Sequence, residues 1–246
     1  MKKVLSVLIL FCGFVFASTI KIAVAANVSY AMPKLIEAFH KTNPSIDVQV
    51  LLGSSGKLTA QIREGAPFEL FMSANMKYPK ALYEEGFALT KPVVYAKGSL
   101  ALLSSKKWDF SKGLELLKSS DVKKIAIANP KTAPYGKAAL EAMQKAGIYK
   151  DIKDKLIYGQ SVSQAVVYSI IAADIGLVAK SALYSKKMRK YKKGQNWIEV
   201  EPSLYDPIDQ GVVLIKNSSK EAKVFYDFIL SKRAKKIFED FGYSER

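Results

Sequence analysis

Short apolar runs alternate with amphipathic helical stretches along most of this chain, and few architectures accept that pattern. Residues 20–26, IKIAVAA, read as a buried strand. A helix follows in which Met32, Leu35, Ile36 and Phe39 recur at helical spacing, with Pro33 in its first turn. Residues 46–52, IDVQVLL, give the next strand, and the helix KLTAQIRE ends near Gly65, Ala66 and Pro67. FELFMSA is a strand and YPKALYEEG a helix stopped at Gly86. A second series begins near Pro92 with VVYAKGSLALLSS. It continues through a helix around residues 114–117, the strand KIAIA, a helix over residues 136–146, a helix after Ser161, Val162 and Ser163, and the strand IGLVA. QGVVLI and two amphipathic helices close the chain, the last with Ala234, Ile237, Phe238 and Phe241 on one face. Repeated βα alternation predicts parallel sheets flanked by helices. With 49% apolar residues in a chain of 246, two α/β domains can each hold a core. No repeat and no long flexible linker separates them.

The first residues set the compartment. Lys2 and Lys3 precede the apolar run of residues 4–16, and Ala17 ends a suitable cleavage site. This pattern is a secretory signal peptide, residues 1–17, too short to span a membrane. Cys12 would suit a lipid anchor, but Phe11 stands where a lipoprotein signal has a small residue, so a soluble exported protein is expected. Cleavage after Ala17 removes the only Cys, and with it disulfide and thiol chemistry. The single histidine, His40 in AFHKTNP, is too little for a zinc site or a Ser-His-Asp triad and reads as a solvated helix end. The formal charge is +16, and +14 without Lys2 and Lys3. Such a balance suits nucleic acid, a membrane surface or anionic ligands, and export argues against nucleic acid. The densest cluster, KKMRKYKK at residues 186–193, reads as a solvated helix end, with long-range attraction of anions as its second reading.

The stretch GSSGK, residues 53–57, lies between a strand and a helix and poses the chemical question. A nucleotide-binding P-loop needs G-x-x-x-x-G-K-[ST]. Placing Gly56 and Lys57 at its end puts Leu51 at the first glycine and Leu58 at the magnesium-binding hydroxyl, so the motif fails. An anion site of another kind survives. The first N–H groups of a helix lack internal partners, and the dipole places about +0.5 charge there. Ser54 and Ser55 add hydroxyls, and Gly56 lets a ligand approach the backbone. A Gly-Ser turn that simply caps a helix explains the same residues. Recurrence strengthens the anion reading. VAANVSYAMP carries Asn27 and Ser29 at a second strand-to-helix junction. ANPKTAPYGKAAL brings Tyr135 to a third, and GQSVSQA places Val162 between two serines at a fourth. In open α/β folds, ligands gather where strand carboxyl ends meet helix N-termini.

The segments VAANVSYAM, GSSGKLTAQI, GAPFELFMSANMKYPKALYEEGFAL, IANPKTAPYGKAAL, SVSQA and AADIGLVAKSAL occur in one order over nearly all the exported chain. Together they resemble the periplasmic molybdate-binding proteins of ABC transporters, a family that extends to tungstate. The resemblance implies a type II periplasmic binding protein fold: two α/β lobes, residues 18–91 with 205–246 and residues 92–204, joined by two crossover segments at a ligand cleft. It implies ligand roles for Asn27, Ser55, the APYG tyrosine Tyr135 and the amide at Val162, with Ser54 and Ser29 as neighbours. Gln210 and Tyr205, in LYDPIDQGVV, are left open. The implied ligand is molybdate or tungstate, held through its oxygens with no direct metal ligand from the protein and no cofactor. The implied partners are the permease and ATPase subunits of an importer, with the binding protein itself expected to be a monomer.

Capture of this kind needs no catalysis. Neutral amides and hydroxyls replace the water around a tetrahedral dianion. None of the four loops places a carboxylate among its donors, which disfavours hydrogen phosphate, whose proton needs an acceptor. Sulfate would be separated by cavity size. Two rival readings stay open: a binding protein for another oxyanion, such as sulfate or an organic anion, and an exported hydrolase using Ser55 or Ser163.

Overall fold

The computed structural model describes residues 18–244, so the expected signal peptide, residues 1–17, lies outside the described residues. Two five-stranded sheets organise the chain. The first runs in the order β2-β1-β3-β10-β4, built from β1 (Ser18–Ala25), β2 (Ile46–Gly53), β3 (Leu70–Ser73), β4 (Val93–Gly98) and β10 (Ile208–Leu214). The second runs β7-β6-β8-β5-β9, from β5 (Leu100–Leu103), β6 (Ile125–Ala128), β7 (Leu156–Gly159), β8 (Ile175–Ala179) and β9 (Trp197–Glu199). The helices are α1 (Met32–His40), α2 (Ser55–Arg63), α3 (Lys77–Glu84), α4 (Pro134–Lys145), α5 (Tyr149–Ile152), α6 (Val162–Ile171), α7 (Lys220–Ile229) and α8 (Lys232–Asp240).

The first strand shows how sequence becomes sheet. Its opening residues alternate, with Thr19 and Lys21 exposed and Ile20 and Ile22 buried. Its last four residues are all buried, as in a strand covered on both faces. It pairs in parallel with β2 on one side and β3 on the other. Helix α1 covers this sheet through Met32, Leu35 and Phe39. Phe39 meets Phe225 of α7 edge to face, with centroids 4.9 Å apart, a favoured aromatic geometry.

The expected parallel sheets are in fact mixed. Strand β10 is antiparallel to β3 and β4, and β5 is antiparallel to β8 and β9. The cause lies in VVYAKGSLALLSS, a single apolar run that changes sheets midway. Its first part, β4, pairs with β10, and its second part, β5, pairs with β8. The chain therefore leaves the first sheet at Ser99, later than the expected boundary after residue 91, and returns through residues 200–207 into β10. Two other elements departed from expectation. The segment around residues 114–117 is a 3₁₀ helix, Phe110–Lys118, kinked at Gly113. The lysine cluster is no helix end but a 3₁₀ turn, Lys186–Met188, and its following loop, pinned by the buried Met188. His40 is half-buried rather than solvated, its Nε2 2.9 Å from the Ile46 carbonyl.

Small residues let the two halves approach. Ala25, Ala26 and Ala74, at the carboxyl ends of β1 and β3, pack into the second sheet's core beside Tyr135 and Val162. The halves also exchange hydrogen bonds: Gly56 N–H to the Thr132 carbonyl at 2.9 Å, and Lys57 Nζ to Gln160 Oε1 at 2.9 Å. The cleft is closed.

Candidate oxyanion site

Four chain junctions converge where the halves meet. They meet around a small cavity of about 10 Å³ lined by Ala25, Ala26, Asn27, Gly53, Ser54, Ser55, Ala74, Ala133, Pro134, Tyr135 and Val162. No lining residue is charged. Each junction presents the start of a helix. Asn27 opens a 3₁₀ turn, Ala26–Tyr30, straight after β1. Ser54 and Ser55 open α2, Tyr135 is the second residue of α4, and Val162 is the first of α6. The first N–H groups of such turns have no partner within them.

The serines separate capping from ligand chemistry. Ser161, Ser219 and Ser231 each cap a helix, their hydroxyls accepting from the N–H groups of Gln164, Ala222 and Ala234. Ser54 holds the same position before α2, yet its hydroxyl makes no cap bond and is buried without a partner. Ser55 Oγ accepts from the Ala74 N–H at 2.9 Å, which leaves its own hydrogen free to donate. The Tyr135 hydroxyl is buried too, and it forms no hydrogen bond of good geometry, although the Asn27 side chain lies close enough to it to draw its pKa down. Burial pushes this phenol well above its ordinary pKa, so it stays protonated and can only donate to an anion near neutral pH. An unpaired buried donor costs about 1–3 kcal/mol, and that of Ser54, at the edge of the cavity, is explained by an acceptor that fills it.

Hydrogen-bond accounting orients Asn27. Gln210 Nε2 donates to the Ile208 carbonyl at 2.9 Å, which turns its Oε1 toward Asn27. Asn27 Nδ2 then donates to Gln210 Oε1 and to the Tyr243 hydroxyl, both at 2.8 Å. Asn27 Oδ1 is left buried without a hydrogen bond of good geometry. With its Nδ2 committed, the Asn27 side chain meets the Tyr135 hydroxyl through this oxygen, and the donor Asn27 can offer the site is its main-chain N–H.

The structure brings Asn27, Ser54, Ser55, Tyr135 and Val162 around one cavity. Ser29 lies off it, with its hydroxyl 3.3 Å from that of Ser163. Gln210 is fully buried behind Asn27, aimed inward at a register shift where β10 pairs with β4. Tyr205 accepts from the Leu100 N–H at 3.1 Å and belongs to the crossover. Sequence reasoning missed Tyr243 and Gly98. Tyr243 arrives from the far end of the chain, held near the site by the bridge between Ser244 and Lys97. Gly98 lies directly against the Tyr135 hydroxyl, where any Cβ would overlap it. Neither residue sits in a local motif that could have marked it. Of the residues the hydrolase reading would use, Ser163 donates to the Ala26 carbonyl and His40 Nε2 lies 2.9 Å from that of Ile46, so the two engage main chain and not each other. Among the described residues, no group of three or more His, Cys, Asp or Glu could hold a metal ion.

Residues 20–244 match the bacterial extracellular solute-binding protein family. The chain belongs to that family. The solute-binding protein is 38% identical over 225 residues to the molybdate-binding protein ModA of Rhodobacter capsulatus, covering 90% of this chain and 86% of that one. It is 34% identical over 231 residues to the ModA of Azotobacter vinelandii, covering 92% and 90%. Its structure superposes on the periplasmic molybdate-binding protein of Azotobacter vinelandii with a TM-score of 0.85 at 30% identity, covering 92% of this chain and 99% of that one. The sulfate-binding protein SubI of Mycobacterium tuberculosis shares the fold at 14% identity, with a TM-score of 0.72. These likenesses establish the type II periplasmic binding fold, with its cleft between two α/β lobes.

Proposed function

We propose that this protein captures molybdate in the periplasm, with tungstate as its closest analogue, and delivers it as a monomer to the permease and ATPase subunits of an ABC importer. The observation that carries the reading is the uncharged cavity, lined by the hydroxyls of Ser54, Ser55 and Tyr135, in which Ser54 forgoes its cap bond and lies buried without a partner. The proposed ligand set is the main-chain N–H groups at Asn27 and Val162 and the hydroxyls of Ser54, Ser55 and Tyr135. An anion held this way keeps its charge while fixed dipoles replace its water shell. The relatives named for molybdate support the choice of anion. Export through the N-terminal segment agrees with the periplasmic relative of the same fold.

Titration calorimetry with molybdate, tungstate, sulfate and phosphate tests the reading. One molybdate or tungstate should bind per chain, and sulfate and phosphate should bind far more weakly, because donors spaced for a larger tetrahedron do not close on a smaller one. Sulfate or phosphate binding as tightly as molybdate would reject it.

A second expectation concerns protons. The lining holds no carboxylate, imidazole or ammonium, and the Tyr135 phenol is held protonated by burial. A neighbouring anion raises that phenol further, so no group of the site changes protonation between about pH 6 and about pH 9. Molybdate affinity should be flat over that range. Binding heats measured in buffers of different ionisation enthalpy should coincide; a buffer-dependent heat would reveal a titrating group in the site.

A further inference from the structure

Two hydroxyls of the second lobe reach across the cleft to main chain rather than to the cavity. Ser163, the second residue of α6, donates to the Ala26 carbonyl at 2.8 Å. Ser181, buried in the 3₁₀ turn Lys180–Tyr184, donates to the Asn27 carbonyl at 2.9 Å. With the Ser163 hydrogen committed, the 3.3 Å contact between Ser29 and Ser163 has Ser29 as donor. Neither Ser163 nor Ser181 lines the cavity. Both bonds join the lobes, so separation of the lobes breaks them.

The acceptors they choose are informative. The Ala26 carbonyl shares its peptide group with the Asn27 N–H. A hydrogen bond accepted at the oxygen draws charge through the peptide and strengthens its N–H as a donor. The Asn27 carbonyl already accepts from the Tyr243 hydroxyl at 3.0 Å within the first lobe. Ser181 supplies the second bond that a carbonyl oxygen can take. Helix α6 acts on both sides of the ligand: its first amide, at Val162, borders the cavity, and the next side chain grips the opposite lobe.

We propose that Ser163 and Ser181 are positioning residues that couple lobe closure to the hold on the oxyanion. Closure brings their hydroxyls onto the Ala26 and Asn27 carbonyls, sharpens the main-chain donor at Asn27 and slows release. The inference rests on the oxyanion-capture reading of the same cavity.

The test compares release of radiolabelled molybdate, chased with excess unlabelled molybdate, from the exported protein and its variants. Ser163→Ala and Ser181→Ala should each release the anion about twofold to twelvefold faster, the loss of one ordinary hydrogen bond. Association should change by less than about twofold, because encounter precedes closure. Ser163→Thr, which keeps the hydroxyl, should restore slow release. Ser169→Ala removes a hydroxyl from the same helix that bonds only the Ala165 carbonyl, and should release like the parent. In bound Ser163→Ala, the Asn27 amide proton should move upfield as its hydrogen bond weakens. Parent-like release in both Ser163→Ala and Ser181→Ala, or an unmoved Asn27 amide proton, would overturn the proposal. Failure of the parent to bind molybdate strikes the ligand reading alone. The same variants are then compared with labelled sulfate, and the same rate differences are required.

Discussion

Replacing Ser55 with alanine is expected to weaken molybdate binding by about ten- to a hundredfold and to lower the stability of the ligand-free protein by about 1–3 kcal/mol. Two separate bonds produce the two effects. The hydroxyl hydrogen is free to donate to an anion, and a hydrogen bond to a charged acceptor is worth about 1.5–3 kcal/mol. The hydroxyl oxygen accepts from the Ala74 N–H, and Ala74 is buried, so the substitution strands a main-chain donor. Calorimetry with molybdate and urea unfolding without it read the two effects apart. Unchanged affinity would remove Ser55 from the site. Unchanged stability with weakened binding would show that water takes over the Ala74 N–H.

Much of this arrangement was legible in the sequence because the cavity-lining residues sit at strand-to-helix junctions, where a short motif carries both the turn and a polar group. GSSGK, APYG and SVSQA are of that kind. They led to Ser55, Tyr135 and Val162, all of which border one cavity. Ser29 shares the junction of Asn27 but lies two residues further on, where its hydroxyl meets that of Ser163. What stayed hidden depends on segments far apart in the chain. The partner that orients Asn27 comes from residue 243, and the surface against Tyr135 comes from Gly98 in a strand that looked continuous with the next. The two unanticipated strands, β7 and β9, are short, largely half-buried edges without a clean alternation of apolar and polar residues. Sheet polarity was missed for a related reason. Direction is set by which sheet a strand joins, and the change of sheet at Ser99 leaves no mark in local hydropathy.

Gly98 and Tyr135 give the second large effect, and they should reveal one another. A methyl group at Gly98 would overlap the Tyr135 hydroxyl and lie 3.0 Å from Gln210 Nε2. Tyr135 cannot easily retreat, because it opens α4, whose next residue, Gly136, is pressed against the Ala128 carbonyl with no room for a Cβ. Gly98→Ala should therefore displace the phenol and weaken molybdate binding by about a hundredfold or more, with about 1–3 kcal/mol of overpacking in the ligand-free protein. Tyr135→Phe should act mainly on binding. It removes a donor from the anion, weakening binding about ten- to a hundredfold, and it removes a buried hydroxyl without a well-formed hydrogen bond, changing the stability of the empty protein by less than about 1 kcal/mol. Combining the two should be less harmful to stability than their sum, because the phenylalanine ring lacks the oxygen that the alanine methyl would strike. A coupling of about 1–2 kcal/mol is expected, typical of residues in direct contact. Urea unfolding of the four proteins, with the shift in melting temperature on adding molybdate as the binding readout, closes the cycle. Strict additivity would mean that the Gly98 methyl is accommodated by movement of β4. The hydroxyl of Tyr135 would then have no fixed place against the first lobe, and its assignment as a ligand from across the cleft would fall with it.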